Sequence, residues 1–336
     1  MHGENQSVDL NITYGSACNM HCRYCLQAPD SNAKKGDIDE FISGLRKYLD
    51  QHGKKVKGIA HWGGETLLYL PRIKKVIEAF PEAQNNRIST NGLLIDEKYV
   101  EYANSVPTIH TCLSIHDEPI SDDNYRNLAK LKKCSIAGVF FKGVTSAEYY
   151  RPVWEKIYQL TGRYVPLGII FEKAAGGCSL DCYLTEDDVI KYFEDFLGNI
   201  YPKACEGDEF CKRVVCTFLY DCRARINQSS APRCCSDYLL SLDTMGNIVA
   251  CHHNDTANNL LGNIFKKTIP IGKTPEFDKH FKSEKCQQCE ALPLCKGGCF
   301  LSNNHDTECF ADLWKWRIFN VLEYKNRKYG FRDNDL

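Results

Sequence analysis

The sequence predicts an α/β protein built on a parallel β-sheet, followed by a smaller cysteine-rich region. From about residue 7 to 200, six short β-rich runs alternate with amphipathic segments. Beyond about residue 200 this alternation fades, and most of the 19 cysteines lie between Cys205 and Cys309. Six strand–helix units in a row indicate a parallel sheet with helices outside it, either doubly wound or closed as a barrel.

The strands and helices are predicted in strict alternation. Val8 to Tyr14 alternates apolar and polar residues, as a half-buried strand does, and Ile38 to Leu49 carries apolar residues at helical spacing. Thr185 is a predicted N-cap. The remaining strands are Val56 to Trp62, Arg87 to Thr90, Ile109 to Ile115, Ile136 to Val144 and Val165 to Phe171, and the remaining helices lie near 70–80, 95–104, 122–133, 154–160 and 185–197. Functional residues are expected at the carboxyl ends of these strands.

The second region has little regular structure in its sequence pattern. We place the first domain at residues 1–210 and the second at 211–336. Leu239 to Asp243 and Asn247 to Ala250 predict a small hairpin with Gly246 in its turn. A C-terminal helix is expected over 314–319, packed against the first domain by its aromatic residues.

Composition excludes several classes of protein. The formal net charge is −1 and no basic tract occurs, so we expect no nucleic-acid partner. No apolar run is long enough to span a bilayer, and the polar N-terminus does not resemble a secretory signal, so we expect no membrane partner and a cytoplasmic location. In a reducing compartment, 19 cysteines indicate metal ligands rather than disulfides.

Three cysteines follow the first predicted strand as Cys18-Asn-Met-His-Cys22-Arg-Tyr-Cys25. Three thiolates can hold three irons of a [4Fe–4S] cluster and leave the fourth without a protein ligand. This spacing resembles the signature of the radical S-adenosylmethionine (SAM) superfamily. The resemblance implies that Cys18, Cys22 and Cys25 hold a cluster whose open iron chelates SAM. It also implies that reductive cleavage of SAM yields a 5′-deoxyadenosyl radical, which abstracts hydrogen from the substrate.

Two further segments resemble SAM-binding elements of that superfamily. Gly63-Gly64-Glu65 closes the second strand and resembles its GGE element, which binds the methionyl amine; a glycine-rich turn is the alternative. Ser89-Thr90-Asn91-Gly92 ends the third strand and resembles the element near the SAM ribose, so Asn91 is a candidate ligand. A polar strand-to-helix turn is the alternative here.

Ser114 and Arg126 are predicted SAM ligands on weaker grounds. Related enzymes often show S-x-D-G at the end of the fourth strand, with an arginine at this offset contacting the SAM carboxylate. Here His116 and Asp117 stand in that motif, which is therefore degenerate.

The C-terminal cysteines resemble the SPASM extension of radical SAM enzymes, which binds two auxiliary [4Fe–4S] clusters. Cys286-x2-Cys289-x5-Cys295-x3-Cys299 precedes Cys309 and follows Cys235-x10-Gly246-x4-Cys251. Only one C-x2-C pair occurs in this block, which disfavours a zinc ribbon. The resemblance implies one cluster on Cys286, Cys289, Cys295 and Cys309. The other would lie on Cys235, Cys251, Cys299 and one upstream cysteine, for which we favour Cys222 over Cys216 and Cys234.

The resemblance therefore predicts a partial (β/α)6 TIM-like barrel followed by a small cysteine-rich SPASM domain. It implies a radical SAM enzyme with SAM, its [4Fe–4S] cluster and two auxiliary [4Fe–4S] clusters as cofactors, and with ferredoxin or flavodoxin as reductant. Catalytic acid–base residues are not identified. A non-catalytic iron–sulfur electron carrier is disfavoured, because a carrier needs no SAM pocket.

The substrate is predicted less directly. Only about a dozen residues precede the first strand, so no leader-peptide module is expected. The first interpretation is a small-molecule substrate, as in a queuine-lyase-type C–N cleavage in 7-deazaguanine salvage. The alternative is a peptide or protein maturase that modifies a side chain.

Overall fold

A computed structural model describes residues 7–22, 24–25, 36–115, 120–171, 184–227, 239–251, 260–266, 284–296 and 305–329. Its first part contains six strand–helix units in the predicted order. The strands are β1 (Ser7–Thr13), β2 (Lys55–Trp62), β3 (Asn85–Thr90), β4 (Ile109–Ile115), β5 (Cys134–Phe140) and β6 (Leu167–Phe171). The helices are α1 (Ile38–Gln51), α2 (Leu70–Ala79), α3 (Glu97–Ser105), α4 (Asp122–Lys130), α5 (Arg151–Thr161) and α6 (Glu186–Asp195).

Four of these six helices begin at residues whose side chains satisfy otherwise unpaired backbone N–H groups. Asp37 accepts from the N–H groups of Asp39 and Glu40, both at 2.9 Å. The predicted N-cap Thr185 is confirmed, and it forms a capping box with Asp188. Short polar residues thus set where α1, α3, α4 and α6 start, whereas α2 and α5 begin without a side-chain cap.

The strands form one sheet in the order β6-β5-β4-β3-β2-β1, and all neighbours in this part are parallel. This mixed α/β architecture confirms the predicted fold class, a partial TIM-like barrel with a cysteine-rich region after it. Beyond β1 the sheet continues through β7 (Leu239–Asp243), β8 (Asn247–Val249) and β9 (Leu260–Asn263).

The second region is joined to the first through β7, which pairs parallel with β1. The predicted hairpin is confirmed: β7 and β8 are antiparallel, and Gly246 in their turn has φ +80°. The addition of β7 to the barrel sheet was not foreseen. It removes the free edge that β1 would otherwise present.

Further α-helices follow α6 in the described part of the chain. They are α7 (Tyr201–Cys205), α8 (Glu209–Asn227), α9 (Glu284–Gln287), α10 (Leu292–Cys295) and α11 (His305–Tyr329). The predicted C-terminal helix is present as α11, where Trp314 stacks on Phe193 of α6 with ring centroids 6.1 Å apart. The predicted domain boundary falls at the beginning of α8. Among the described residues, no helix has the length and apolar character needed to cross a membrane.

The register of the strands shows which side chains face the helices. The hydroxyl of Thr111 on β4 lies 2.7 Å from the hydroxyl of Tyr99 on α3, so this face of the sheet is covered by helices. Ile12, His61, Ile88 and Thr111 are aligned across β1 to β4 and share this face. Because side chains alternate along a strand, the intervening residues line the concave inner wall.

A chain of buried polar groups lies on the helix-facing side. His61 lies 2.8 Å by Nδ1 from the Tyr14 hydroxyl and 3.1 Å by Nε2 from Asn86 Oδ1, and Asn86 donates to Thr108 at 2.9 Å. Because Asn86 offers an acceptor oxygen, the neutral tautomer with a proton on Nε2 satisfies both contacts. Burial lowers the pKa of His61 to about 4.

This histidine is expected to make stability depend on pH. An unfolded His61 takes up a proton near its ordinary pKa of 6.5, whereas the folded one does so only near 4. Its contribution is therefore fully present above pH 6.5 and falls by roughly 1.4 kcal/mol per pH unit as the pH drops towards 4. Thermal unfolding should be measured for wild type and His61→Gln over this pH range. The unfolding temperature of the variant should depend less on pH than that of wild type. His52→Gln, at a partly exposed histidine, is the control, and equal slopes in wild type and His61→Gln would contradict this account.

Candidate active site

The candidate site lies at the carboxyl ends of β1 to β3, where three predicted motifs meet. The cysteine loop follows β1 and runs beside the turn that follows β2. Gly64 donates its N–H to the carbonyl of Gly15 at 3.0 Å, and Glu65 donates to the carbonyl of Ala17 at 2.8 Å. Two backbone hydrogen bonds therefore hold the cysteine loop against the GGE turn.

Gly64 is required by the closeness of this contact. A Cβ atom at Gly64 would lie 2.3 Å from the carbonyl oxygen of Ser16 and 2.4 Å from that of Ala17. Both contacts are with backbone atoms, which cannot rotate away as a side chain can. A larger residue would push the cysteine loop off β2, so glycine is needed here for close approach of two backbone segments.

Glu65 joins the ends of β2 and β3. Its side chain is 1% exposed, and it accepts hydrogen bonds from the Leu67 N–H (2.9 Å), the Thr90 hydroxyl (2.8 Å) and the Asn91 N–H (2.8 Å). Burial raises the pKa of Glu65, and these hydrogen bonds oppose that rise. A carboxylate has about four acceptor positions, so three donors leave room for a cationic group.

Asn91 connects this carboxylate to the cysteine loop. Its side-chain amide donates to Asn19 Oδ1 at 2.7 Å, while its N–H bonds Glu65. The structure therefore brings together Cys18, Gly64, Glu65 and Asn91, four residues that the sequence motifs singled out separately.

The three cysteines of the loop fit a shared cluster. Cys18, Cys22 and Cys25 are partly exposed and take part in no disulfide bond. Met20 donates its N–H to Cys18 Sγ at 3.4 Å, and Cys25 N–H bonds the Cys22 carbonyl in a tight turn at 3.1 Å. Partly exposed cysteines in a loop held by backbone hydrogen bonds suit iron–sulfur ligation.

Tyr24, between the second and third cysteines, anchors this loop to the barrel. Its ring is 5% exposed and stacks on Phe141, beyond the end of β5, with centroids 4.5 Å apart. In the part of the chain that the structure describes, no three His, Cys, Asp or Glu side chains converge on a single metal ion.

The other two predicted SAM ligands differ in position. Ser114 lies on the inner wall near the end of β4 and is partly exposed. Arg126 lies on α4, where its exposed guanidinium pairs with Asp123 at 2.7 Å. The structure thus places Ser114 at the barrel mouth and does not bring Arg126 to the other motif residues. Both roles stay predictions, and His116 and Asp117 lie outside the described residues.

Part of the C-terminal cysteine set is also gathered. Burial raises the pKa of Cys309, and the thiols of Cys286 and Cys289 raise it further. Cys289 N–H bonds the Cys286 carbonyl at 3.2 Å, and Cys295 ends α10. Cys251 follows β8 and is partly exposed. The predicted ligands Cys235 and Cys299, and the alternative Cys234, lie outside the described residues.

Cys222 lies in a different environment from the other predicted ligands. It is 4% exposed on α8, where burial raises its pKa to about 12. The charged residues that act on its thiol are Lys315, Arg225, Asp221 and Asp312. Its role as the fourth ligand stays a prediction, and so does that of Cys216, which is buried on the same helix.

The sequence motifs do not include the polar inner wall of the barrel. Trp62 Nε1 donates to Asn11 Oδ1 at 3.4 Å. The Arg87 guanidinium carbon lies 5.9 Å from the Trp62 ring centroid, and Arg87 Nη2 lies 3.6 Å from Cys112 Sγ. His110 Nε2 lies 2.9 Å from Ser135 Oγ. A signal was present in β3, whose alternate residues Asn85, Arg87 and Ser89 are polar although the strand is central in the sheet.

The comparison with protein families agrees with this geometry. Residues 12–145 match the family model of the Radical SAM superfamily. The chain carries a radical SAM domain. Radical SAM domains bind a [4Fe–4S] cluster and SAM, which confirms these two predicted cofactors and the prediction of an enzyme, and the cysteine-rich C-terminal region agrees with the predicted auxiliary clusters.

Known proteins resemble this chain, either over most of its length or within one segment. The serine-type anaerobic sulfatase-maturating enzyme of Klebsiella aerogenes is 21% identical over 85% of this chain and 77% of its own length. The GTP 3′,8-cyclase of Chlorobaculum tepidum is 31% identical, but the match spans only 28% of each chain. The solved structure of anSMEcpe with bound AdoMet has a TM-score of 0.71 at 19% identity and covers 98% of this chain and 97% of that one. A second anSMEcpe structure also holds a Cp18Cys peptide.

The residues at the mouth of the radical SAM domain differ in their roles. The cluster with SAM supplies one-electron cleavage of SAM and hydrogen abstraction when bound. The cysteine loop presents three thiols, and Glu65 holds a buried negative charge beside it. Gly64 keeps the two segments in contact, and Asn91 fixes the loop from the β3 side.

Proposed function

We propose that this protein is a radical SAM maturase that modifies a side chain of a peptide or protein. The hydrogen-bonded junction of the cysteine loop with Glu65 and Asn91 carries the SAM-dependent part of this proposal. The peptide substrate is supported by the relative named as a sulfatase-maturating enzyme and by the fold shared with anSMEcpe, which has a structure with a bound peptide.

The proposed residue roles combine the sequence motifs with the geometry of the mouth. Cys18, Cys22 and Cys25 hold the SAM cluster. Glu65 receives the SAM ammonium group, which suits a buried carboxylate with a remaining acceptor position. Gly63, Gly64, Asn91 and Ser114 line the SAM site. Cys286, Cys289, Cys295 and Cys309 hold one auxiliary cluster, and Cys235, Cys251, Cys299 and an upstream cysteine hold the other.

A small-molecule substrate is the second candidate. The likeness to the GTP 3′,8-cyclase favours it, although over a short segment. A queuine-lyase-type reaction, which the sequence interpretation placed first, gains no support from the relatives. The reductant in either case is proposed to be ferredoxin or flavodoxin.

Anaerobic reconstitution tests the proposal. The protein is loaded with iron and sulfide, reduced with dithionite and incubated with SAM, and 5′-deoxyadenosine is measured by chromatography. A cysteine- or serine-containing sulfatase-type peptide and queuine are then added in separate reactions. Faster 5′-deoxyadenosine release with a mass change in the peptide supports a maturase, and the same result with queuine supports the lyase. Absence of 5′-deoxyadenosine would exclude both.

A further inference from the structure

We propose that the inner wall of the barrel binds a carboxylate group of the substrate through Arg87. This inference rests on the proposed function, because it assigns the substrate a chemical group that the SAM residues do not recognise. The site, called here the Arg87 site, consists of Arg87, Trp62, Thr13 and Ser89.

Arg87 carries a charge that the described residues do not neutralise. Its guanidinium contacts the Trp62 ring and the Cys112 thiol, and within the described ranges it forms no ion pair with a carboxylate. Burial lowers the pKa of His110 on the same wall, and the positive charges of Arg87 and Lys133 lower it further. A partly exposed arginine inside a barrel, without an anionic partner, is suited to an anionic ligand.

Two hydroxyls beside Trp62 point to the same ligand. Thr13 Oγ1 and Ser89 Oγ are buried and have no hydrogen-bond partner among the described residues. Thr13 is aligned with Trp62 across β1 and β2, and Ser89 follows the aligned pair His61 and Ile88, so the two hydroxyls flank Trp62. Buried hydroxyls are rarely left unpaired, and a ligand oxygen would supply their partner.

The chemistry of these groups favours a ligand in which a carboxylate is attached to a flat or apolar group. A guanidinium offers two parallel N–H donors that match the two oxygens of a carboxylate. Trp62 provides a planar apolar surface beside that charge. Arg87 lies on β3 just before Ser89, Thr90 and Asn91, so an anchored group would lie within the barrel below the Glu65–Asn91 junction.

Binding of simple carboxylates to the reconstituted protein with SAM tests this site by anaerobic calorimetry. Benzoate represents a small acid, and N-acetylglutamate N-methylamide represents an acidic residue of a peptide. At least one of them is expected to bind wild type and to bind Arg87→Met at least tenfold more weakly. Benzamide, which lacks the charge, should not distinguish the two proteins. The tighter of the two acids indicates whether the carboxylate comes from a small molecule or a peptide.

Two further variants separate binding from folding. Arg87→Lys keeps the charge without the planar fork and should recover part of the affinity. Arg46→Met removes a surface arginine that pairs with Glu82 and should bind the acids as wild type does. If neither acid binds wild type, or if Arg87→Met binds them equally well, the proposal is wrong. Absence of 5′-deoxyadenosine formation by the wild-type protein would instead refute the proposed function, whatever the calorimetry shows.

Discussion

Replacing Cys18, Cys22 and Cys25 together by alanine is expected to abolish SAM cleavage. These thiols are the proposed protein ligands of the SAM cluster, and no other cysteine lies between β1 and α1 in the sequence. The triple variant should form no measurable 5′-deoxyadenosine and should contain about four fewer irons per chain than wild type after reconstitution. Chromatography of the nucleoside and colorimetric iron analysis measure the two effects.

Cys205→Ala is the matched control for cysteine removal. Cys205 is exposed at the end of α7 and belongs to neither predicted ligand set. This variant should keep the iron content and the 5′-deoxyadenosine yield of wild type. If the triple variant still cleaved SAM, or lost no iron, the cysteine loop would not be the SAM cluster site.

Glu65→Gln is expected to lower both SAM affinity and stability. The glutamine oxygen can still accept from Leu67 and Thr90, but its amide would direct N–H donors at the Asn91 N–H. A buried donor left without an acceptor costs about 1–3 kcal/mol, and the variant also loses the charge proposed to meet the SAM ammonium group. We expect a lower unfolding temperature and at least tenfold weaker SAM binding. Thermal unfolding and anaerobic calorimetry measure the two effects.

Glu97→Gln is the control for removal of a carboxylate. Glu97 has 78% side-chain exposure and pairs with Lys130 at 3.1 Å on the surface. Such a pair contributes roughly 0–1 kcal/mol, so this variant should resemble wild type in both measurements. Wild-type SAM affinity in Glu65→Gln would show that Glu65 only joins β2 to β3 and takes no part in SAM binding.

Local patterns in the sequence were sufficient for most of the barrel. Alternation in β1, helical spacing in α1 and the N-cap at Thr185 each depend on residues within a few positions of one another. The cysteine loop and the GGE turn are equally local, because a short spacing defines each of them. Short-range spacing alone therefore places these motifs at the ends of strands.

Contacts between distant segments could not be predicted in this way. The pairing of β7 with β1 joins residues more than 200 positions apart. No periodicity along the chain specifies with which edge of the sheet a strand will pair. The hydrogen bonds of Glu65 with Thr90 and Asn91, and the exposure of Arg126 on α4, depend equally on strand order and helix orientation.

The sequence by itself determined the class of protein, the order of its strands and helices, and the motifs proposed to hold a cluster and SAM, because all of these depend on short-range spacing. Only the tertiary structure decided that Glu65 joins two strands to the cysteine loop, and that Arg87, Trp62, Thr13 and Ser89 share one inner wall. Those arrangements arise from the register of parallel strands. Strand register is set by packing across the whole sheet rather than by neighbours along the chain.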